Sequence, residues 1–213
     1  MKKVFAIALS VSIALSGAAA AQAAEVKVNA GCEKVNVTAS SAGKAVKCTK
    51  KSGKLVWVAY TTKGSSSDQV PMGAWFKTGD WSVRVTGIND NMSEFICSQN
   101  MFNDGCDVND DYEGVPDTSV NSRWVEIVLS VKNLTKKDAS PSFGDMGFLN
   151  QGKVTWQGLF QPVVDEDPDS MTLLPGASSE AKYYVFLKNG LATTTFAIKP
   201  QLFYDKAYYF KTK

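Results

Sequence analysis

The 213 residues contain no histidine. That absence removes Ser-His-Asp and Cys-His catalysis, His-ligated zinc or copper and imidazole proton shuttles. Nucleophilic chemistry would have to rest on a Ser-Lys pair or two carboxylates, and neither has a recognisable motif. Cysteine is scarce as well: four residues, none at the C-x-x-C spacing that zinc sites use. Long apolar runs are confined to the first residues of the chain, so no membrane span is expected in the mature protein. The expected class is a non-enzyme.

What is present begins with an export signal. Lys2 and Lys3 precede an apolar stretch from Val4 to Leu15, broken only by Ser10 and Ser12, and an alanine-rich segment ends in A21-Q-A23. These features predict a secretory signal peptide over 1–23, cut after Ala23. Cys32 lies well beyond the apolar run and has Asn29 three places before it, which disfavours lipid attachment. Four cysteines in an exported chain predict two disulfides, and locality selects Cys32 with Cys48 and Cys97 with Cys106 among three possible pairings.

Charge divides the mature chain. Between Ala24 and Ser67 eight lysines face Glu25 and Glu33, a balance of +6, whereas from Asp68 onward 13 basic residues face 19 acidic ones, a balance of −6. The run T61-T-K-G-S-S-S67 marks the seam. The expected organisation is a small basic module over 24–60, a linker over 61–77 and a larger domain over 78–213 with an insert at 89–121. Gly43 and Gly53 sit at expected turns between short alternating stretches of the module. This predicts a β-hairpin unit stapled by one disulfide, because so small a piece cannot bury a full core without help.

The larger domain reads as all-β. In R123-W-V-E-I-V-L-S-V-K-N-L-T135, Val125, Ile127, Leu129 and Val131 form one face, with Glu126, Ser130 and Lys132 opposite. Such alternation predicts a sheet buried on one side. Further strands are expected at Trp81–Ile88, Gly147–Asn150, Lys153–Trp156, Ala181–Lys188, Thr195–Lys199 and the aromatic C-terminus, with turns at N150-Q-G, L174-P-G and K188-N-G. No convincing amphipathic helix is visible. A succession of short strands separated by turn residues predicts a β-sandwich.

Two resemblances extend this reading. The strand closing on Asn133, the F148-L-N-Q-G152 turn and L174-P-G176 leading into Y183-Y-V-F186 together resemble the telokin-like, immunoglobulin-fold extracellular domain of bacterial secreted proteins and lipoproteins, over about residues 78–205. The resemblance implies an immunoglobulin-like β-sandwich and an extracellular setting, with no catalytic residues to transfer. Residues 31–57, with their C, Lys, C-T-K and G-K-L-V-W elements, resemble a short Cys/Lys module of Gram-positive secreted proteins, which implies location more than activity.

Candidate sites are few. Asp107, Asn109 and Asp111 have the alternating oxygen spacing of a calcium loop, but Tyr112 and Thr118 occupy the positions where an EF-hand needs glycine and glutamate. Calcium is therefore a candidate ligand of an irregular acidic loop, with a second acidic run at 165–169 that the fold could bring near it. The aromatic residues Trp75, Phe76, Trp156, Phe160 and those of 203–210 are candidates for a binding platform. Nucleic acid is not an expected partner, since the lysine-rich stretch lacks interleaved aromatics. The expected function is exported, non-catalytic binding or adhesion at the cell envelope, secreted or wall-associated, with an anionic wall polymer, a glycan or another envelope protein as partner. The alternative is a secreted carbohydrate-active enzyme or a carbohydrate-binding accessory.

Overall fold

The structure, a computed structural model, describes residues 25–109, 111–141, 143–157, 161–164, 171–200 and 206–213. The expected signal peptide and the acidic run 165–169 lie outside the described residues. In chain order the first elements are β1 (Thr38–Ser41), β2 (Lys44–Lys51), β3 (Lys54–Ala59), β4 (Phe76–Thr78) and β5 (Trp81–Asn89). A helix α1 (Ser93–Gln99) and strands β6 (Cys106–Val108) and β7 (Gly114–Pro116) make up the insert. There follow β8 (Ser122–Asn133), β9 (Met146–Asn150), β10 (Lys153–Gln157), β11 (Ser178–Lys188), β12 (Thr195–Ile198) and β13 (Tyr208–Lys211).

The basic module is an antiparallel sheet of β1, β2 and β3. Its two turns, Ala42-Gly43 and Ser52-Gly53, hold both residues at positive φ, the conformation whose twist matches the flanking strands. Cys32 and Cys48 are joined, with Cα atoms 6.0 Å apart. Few of its apolar side chains are buried, namely Ala45, Val46 and Cys48, and Ala45 belongs to the core of the larger domain. The stapled hairpin expected from the sequence is thus extended by one strand.

The larger domain is a β-sandwich of two antiparallel sheets, ordered β11-β8-β5-β4 and β10-β9-β12-β13. Period-2 alternation along β5, β8 and β11 turns Val83, Val85, Ile127, Leu129, Val131, Tyr183 and Val185 into the space between the sheets. Phe148, Phe196, Ile198 and Phe210 meet them from the second sheet. Asn133, fully buried at the end of β8, ties the two motifs of the second half together. Its Nδ2 donates to the Leu173 carbonyl at 2.8 Å, and its own carbonyl accepts from Gly176 N at 2.9 Å.

Residues 61–77 are not a free connection. Val70, Met72 and Ala74 are buried in the sandwich core, and Val70 pairs in parallel with Phe210 of β13 before the chain crosses to β4 on the other sheet. The expected linker therefore closes one edge of the sandwich. Its Ser/Gly-rich start suggested solvation, but three apolar side chains find partners far along the chain.

The outer face of β8 also departs from expectation. Trp124, Glu126 and Ser130 are buried along with the inner-face residues. The insert explains the first two: Ile96 of α1 packs with Trp124 and Tyr184 in a second apolar cluster. Beneath it Glu126 accepts hydrogen bonds from Asn89 Nδ2 and, at 3.3 Å, from the Tyr184 hydroxyl. The helix went unforeseen because two turns are too short to show a period. It is held by Ile96 and by the Cys97–Cys106 bond, whose Cα atoms are 5.3 Å apart. Both disulfides match the pairing expected from locality.

Candidate functional site

Two side chains of the acidic loop bond its own backbone. Asn109 Oδ1 accepts from Asp111 N at 3.0 Å and Glu113 N at 2.8 Å, and Asp107 Oδ1 accepts from Val108 N at 2.8 Å. Asx-type bonding of this kind shapes a turn. Among the described residues no group of three or more Cys, Asp or Glu side chains is gathered in the way a metal ion needs. Asp107 and Asn109 thus each have an oxygen engaged by a backbone amide of the same loop as Asp111, and the 165–169 run that could have joined them lies outside the described residues.

The aromatic candidates separate. Trp156 is half-buried with Lys199 over its ring at 4.9 Å, and Lys199 also pairs with Asp145 at 2.7 Å, so that ring belongs to a packed polar cluster. Phe160 and residues 203–205 lie outside the described residues. Phe210 is buried, and Tyr208 packs on Phe76 at 5.1 Å between centroids. Trp75 and Phe76 remain, and they form one wall of a groove.

Three chain segments build this groove, of ≈ 680 Å³, at the seam between module and sandwich. The β1–β2 turn and the start of β2 supply Lys44, the segment after β3 supplies Tyr60 and Thr62, and β4 with the residue before it supplies Trp75, Phe76 and Lys77. The seam is fixed by close packing. Trp75 N donates to the Gly43 carbonyl at 2.8 Å, and a β-carbon on Gly43, at φ 73°, would sit 2.9 Å from the Trp75 ring. Only glycine fits there. Arg84 stacks on Trp75, 4.7 Å from the ring centroid, and its buried Nε has no hydrogen-bond partner among the described residues.

A polar clasp holds the seam from the other side. The Tyr60 hydroxyl donates to Asp68 Oδ1, Lys63 N donates to Asp68 Oδ2 at 2.8 Å, and Thr62 Oγ1 donates to the Asp68 carbonyl at 2.8 Å. Burial works to raise the Asp68 pKa. The Tyr60 hydroxyl, the Lys63 amide and the charges of Lys63 and Lys47 outweigh it and hold the carboxyl below its ordinary range. Accepting that bond and adding negative charge, Asp68 in turn raises Tyr60 above the usual phenol value, helped by burial.

The groove therefore combines an aromatic floor with exposed Lys44 and Lys77 at its rim, and its described lining includes no carboxylate. Such a surface can stack on an apolar ring face while donating to anionic oxygens. The lysine excess pointed to this region in the sequence. The site itself did not show there, because its walls come from three segments that only the fold assembles.

No family model and no curated protein matches the chain. Among solved structures, an uncharacterized β-sandwich protein from Clostridium difficile 630 is similar at 13% identity, over 68% of this chain and 94% of that one, with a TM-score of 0.38. At that distance the likeness adds nothing to what the two sheets already show. No helix among the described residues is long and apolar enough to cross a membrane.

Proposed function

We propose that this is an exported, non-catalytic binding protein of the bacterial cell envelope, and that the groove between module and sandwich takes an anionic wall polymer. The observation that carries this is the groove lining: Tyr60, Trp75 and Phe76 beside Lys44 and Lys77, without a described acid. Two disulfides and the signal-like N-terminus support export. Assignment to the telokin-like immunoglobulin-fold group belongs to the same proposal, supported by the contact between Asn133 and the L174-P-G176 turn.

Titrating the mature protein with a polyglycerol phosphate and with neutral dextran, read by tryptophan fluorescence, tests the reading. Only the polyanion should bind, with affinity falling as salt rises, and Lys44→Ala with Lys77→Ala should weaken it while the melting temperature stays put. Equal binding of dextran, or an unaffected double variant, would remove the anionic-polymer reading. Release of fragments from isolated walls would replace binding with hydrolysis.

A further inference from the structure

Two exposed surfaces of opposite charge lie at opposite edges of the β11-β8-β5-β4 sheet. The module sits against the β4 side through Gly43 and Trp75, whereas the insert covers β8 and β11 through Asp104, Gly105 and Ile96. Strand order therefore keeps the two apart within one chain.

The insert carries eight carboxylates and no basic residue. Among the described residues only Asp90 of these is ion-paired, to Arg123 at 2.7 Å. Within this acidic field Phe102 and Tyr112 line a pocket of ≈ 570 Å³, with Gln99 and Asn100 on its wall. The two rings are 86% and 82% exposed. Elsewhere four rings each carry a cation over one face: Lys47 on Tyr60, Arg84 on Trp75, Lys199 on Trp156 and Lys206 on Tyr208. Phe102 and Tyr112 have no such partner among the described residues.

A matching surface is present on the module. Lys50, Lys51 and Lys54 crowd the Ser52-Gly53 turn, at the end of β2 farthest from the groove. Eight residues of strand put that tip about 23 Å from Lys44. Lysines on one surface, and carboxylates and open rings on the other, complement each other in charge.

We propose that the lysine tip of one chain docks on the acidic aromatic pocket of a second copy, so that the protein associates head to tail. Ammonium groups sit over the Phe102 and Tyr112 rings among the carboxylates. The contact is heterologous, so it propagates into a row or closes into a ring. It leaves Lys44 and Lys77 free and does not depend on the wall-polymer reading.

Sedimentation velocity of the mature chain tests it. The mean mass should rise with concentration at low salt and return to that of a monomer at high salt. A tip variant, Lys50→Glu with Lys51→Glu and Lys54→Glu, should be monomeric at low salt. So should an insert variant, Asp107→Lys with Asp111→Lys and Glu113→Lys. Mixed in equal amounts, the two should associate again, because each reversed surface meets its complement. Phe102→Ala should weaken association by about two- to fivefold, the range of one exposed cation–π contact, with an unchanged melting temperature. A wild-type chain that stays monomeric at low salt up to its solubility, association that persists in either charge-reversed variant, or a mixture that fails to associate would overturn the proposal. So would a basic peptide or polyanion proving necessary for any assembly.

Discussion

The basic module and the acidic insert are both small, both closed by one disulfide, and both seated on an aromatic side chain by a glycine: Gly43 on Trp75, and Gly105 on Phe186. Their attachments differ. The insert drives an apolar plug, Ile96, against Trp124 and Tyr184, and Trp124 Nε1 also donates to the Asp104 carbonyl at 2.7 Å. The module sets only Ala45 and the half-buried Tyr60 against the sandwich core, adds the Tyr60–Asp68 clasp and a Lys211–Thr38 bond of 3.0 Å, and leaves a groove open at its seam. A cover that buries large side chains of the sheet must melt with that sheet, whereas one seated by an alanine and a half-buried tyrosine is able to open alone.

The largest test of that difference is Trp124→Ala. Losing a buried indole should cost about 3–5 kcal/mol of global stability in denaturant unfolding. Trp57→Ala, on a half-buried ring of the module, should instead leave the sandwich transition in place. Equal losses would make the module part of the same cooperative unit.

The disulfides come next. Sequence separations of 16 and 9 residues correspond to about 3 and about 2.5 kcal/mol in the chain-entropy model. Cys32→Ser with Cys48→Ser should speed amide exchange only in β1 to β3. Cys97→Ser with Cys106→Ser should lower the melting temperature of the sandwich as well. If exchange in the first variant spreads into β5 and β8, the distinction between the two covers disappears.

The smallest effect is on pH. Asp68 is depressed, so its contribution is complete above about pH 3.9 and is lost as pH falls through the lower folded value. Tyr60 is raised, so its contribution is complete below about pH 10 and is lost as pH rises through the higher folded value. The module should loosen at both extremes. Asp68→Asn should abolish the acid limb and move the Tyr60 tyrosinate absorbance to lower pH; an unmoved titration would mean that the hydroxyl bond contributes nothing.

The parts of this fold that the sequence displays are those whose signal is local. β8 alternates over a dozen residues, Ala42-Gly43, Ser52-Gly53 and Gln151-Gly152 sit between paired strands, and each cysteine bonds its nearest neighbour in the chain. What stays hidden is long-range. Val70 looks like a stray apolar residue in a polar stretch until Phe210 is found beside it. Trp124 and Tyr184 look outward until the insert folds back over them. The groove needs residues 44, 60 and 75 side by side, which composition cannot convey. In the acidic loop the spacing of Asp107, Asn109 and Asp111 was legible, but that Asp107 and Asn109 turn an oxygen to backbone amides was not.

The parallel pairing of Val70 with Phe210 also has a mechanical side. Val70 N donates to the Tyr209 carbonyl at 2.9 Å, Lys211 N to the Val70 carbonyl at 2.8 Å, and Tyr209 N to the Gly64 carbonyl at 2.9 Å. A pull applied to the module reaches the sandwich through residues 61–77. Because that segment lies alongside β13, tension along it strains these bonds together in shear instead of peeling them one at a time. Traction on the N-terminal module would thus be resisted at a point where the chain is already locked to its own C-terminal strand.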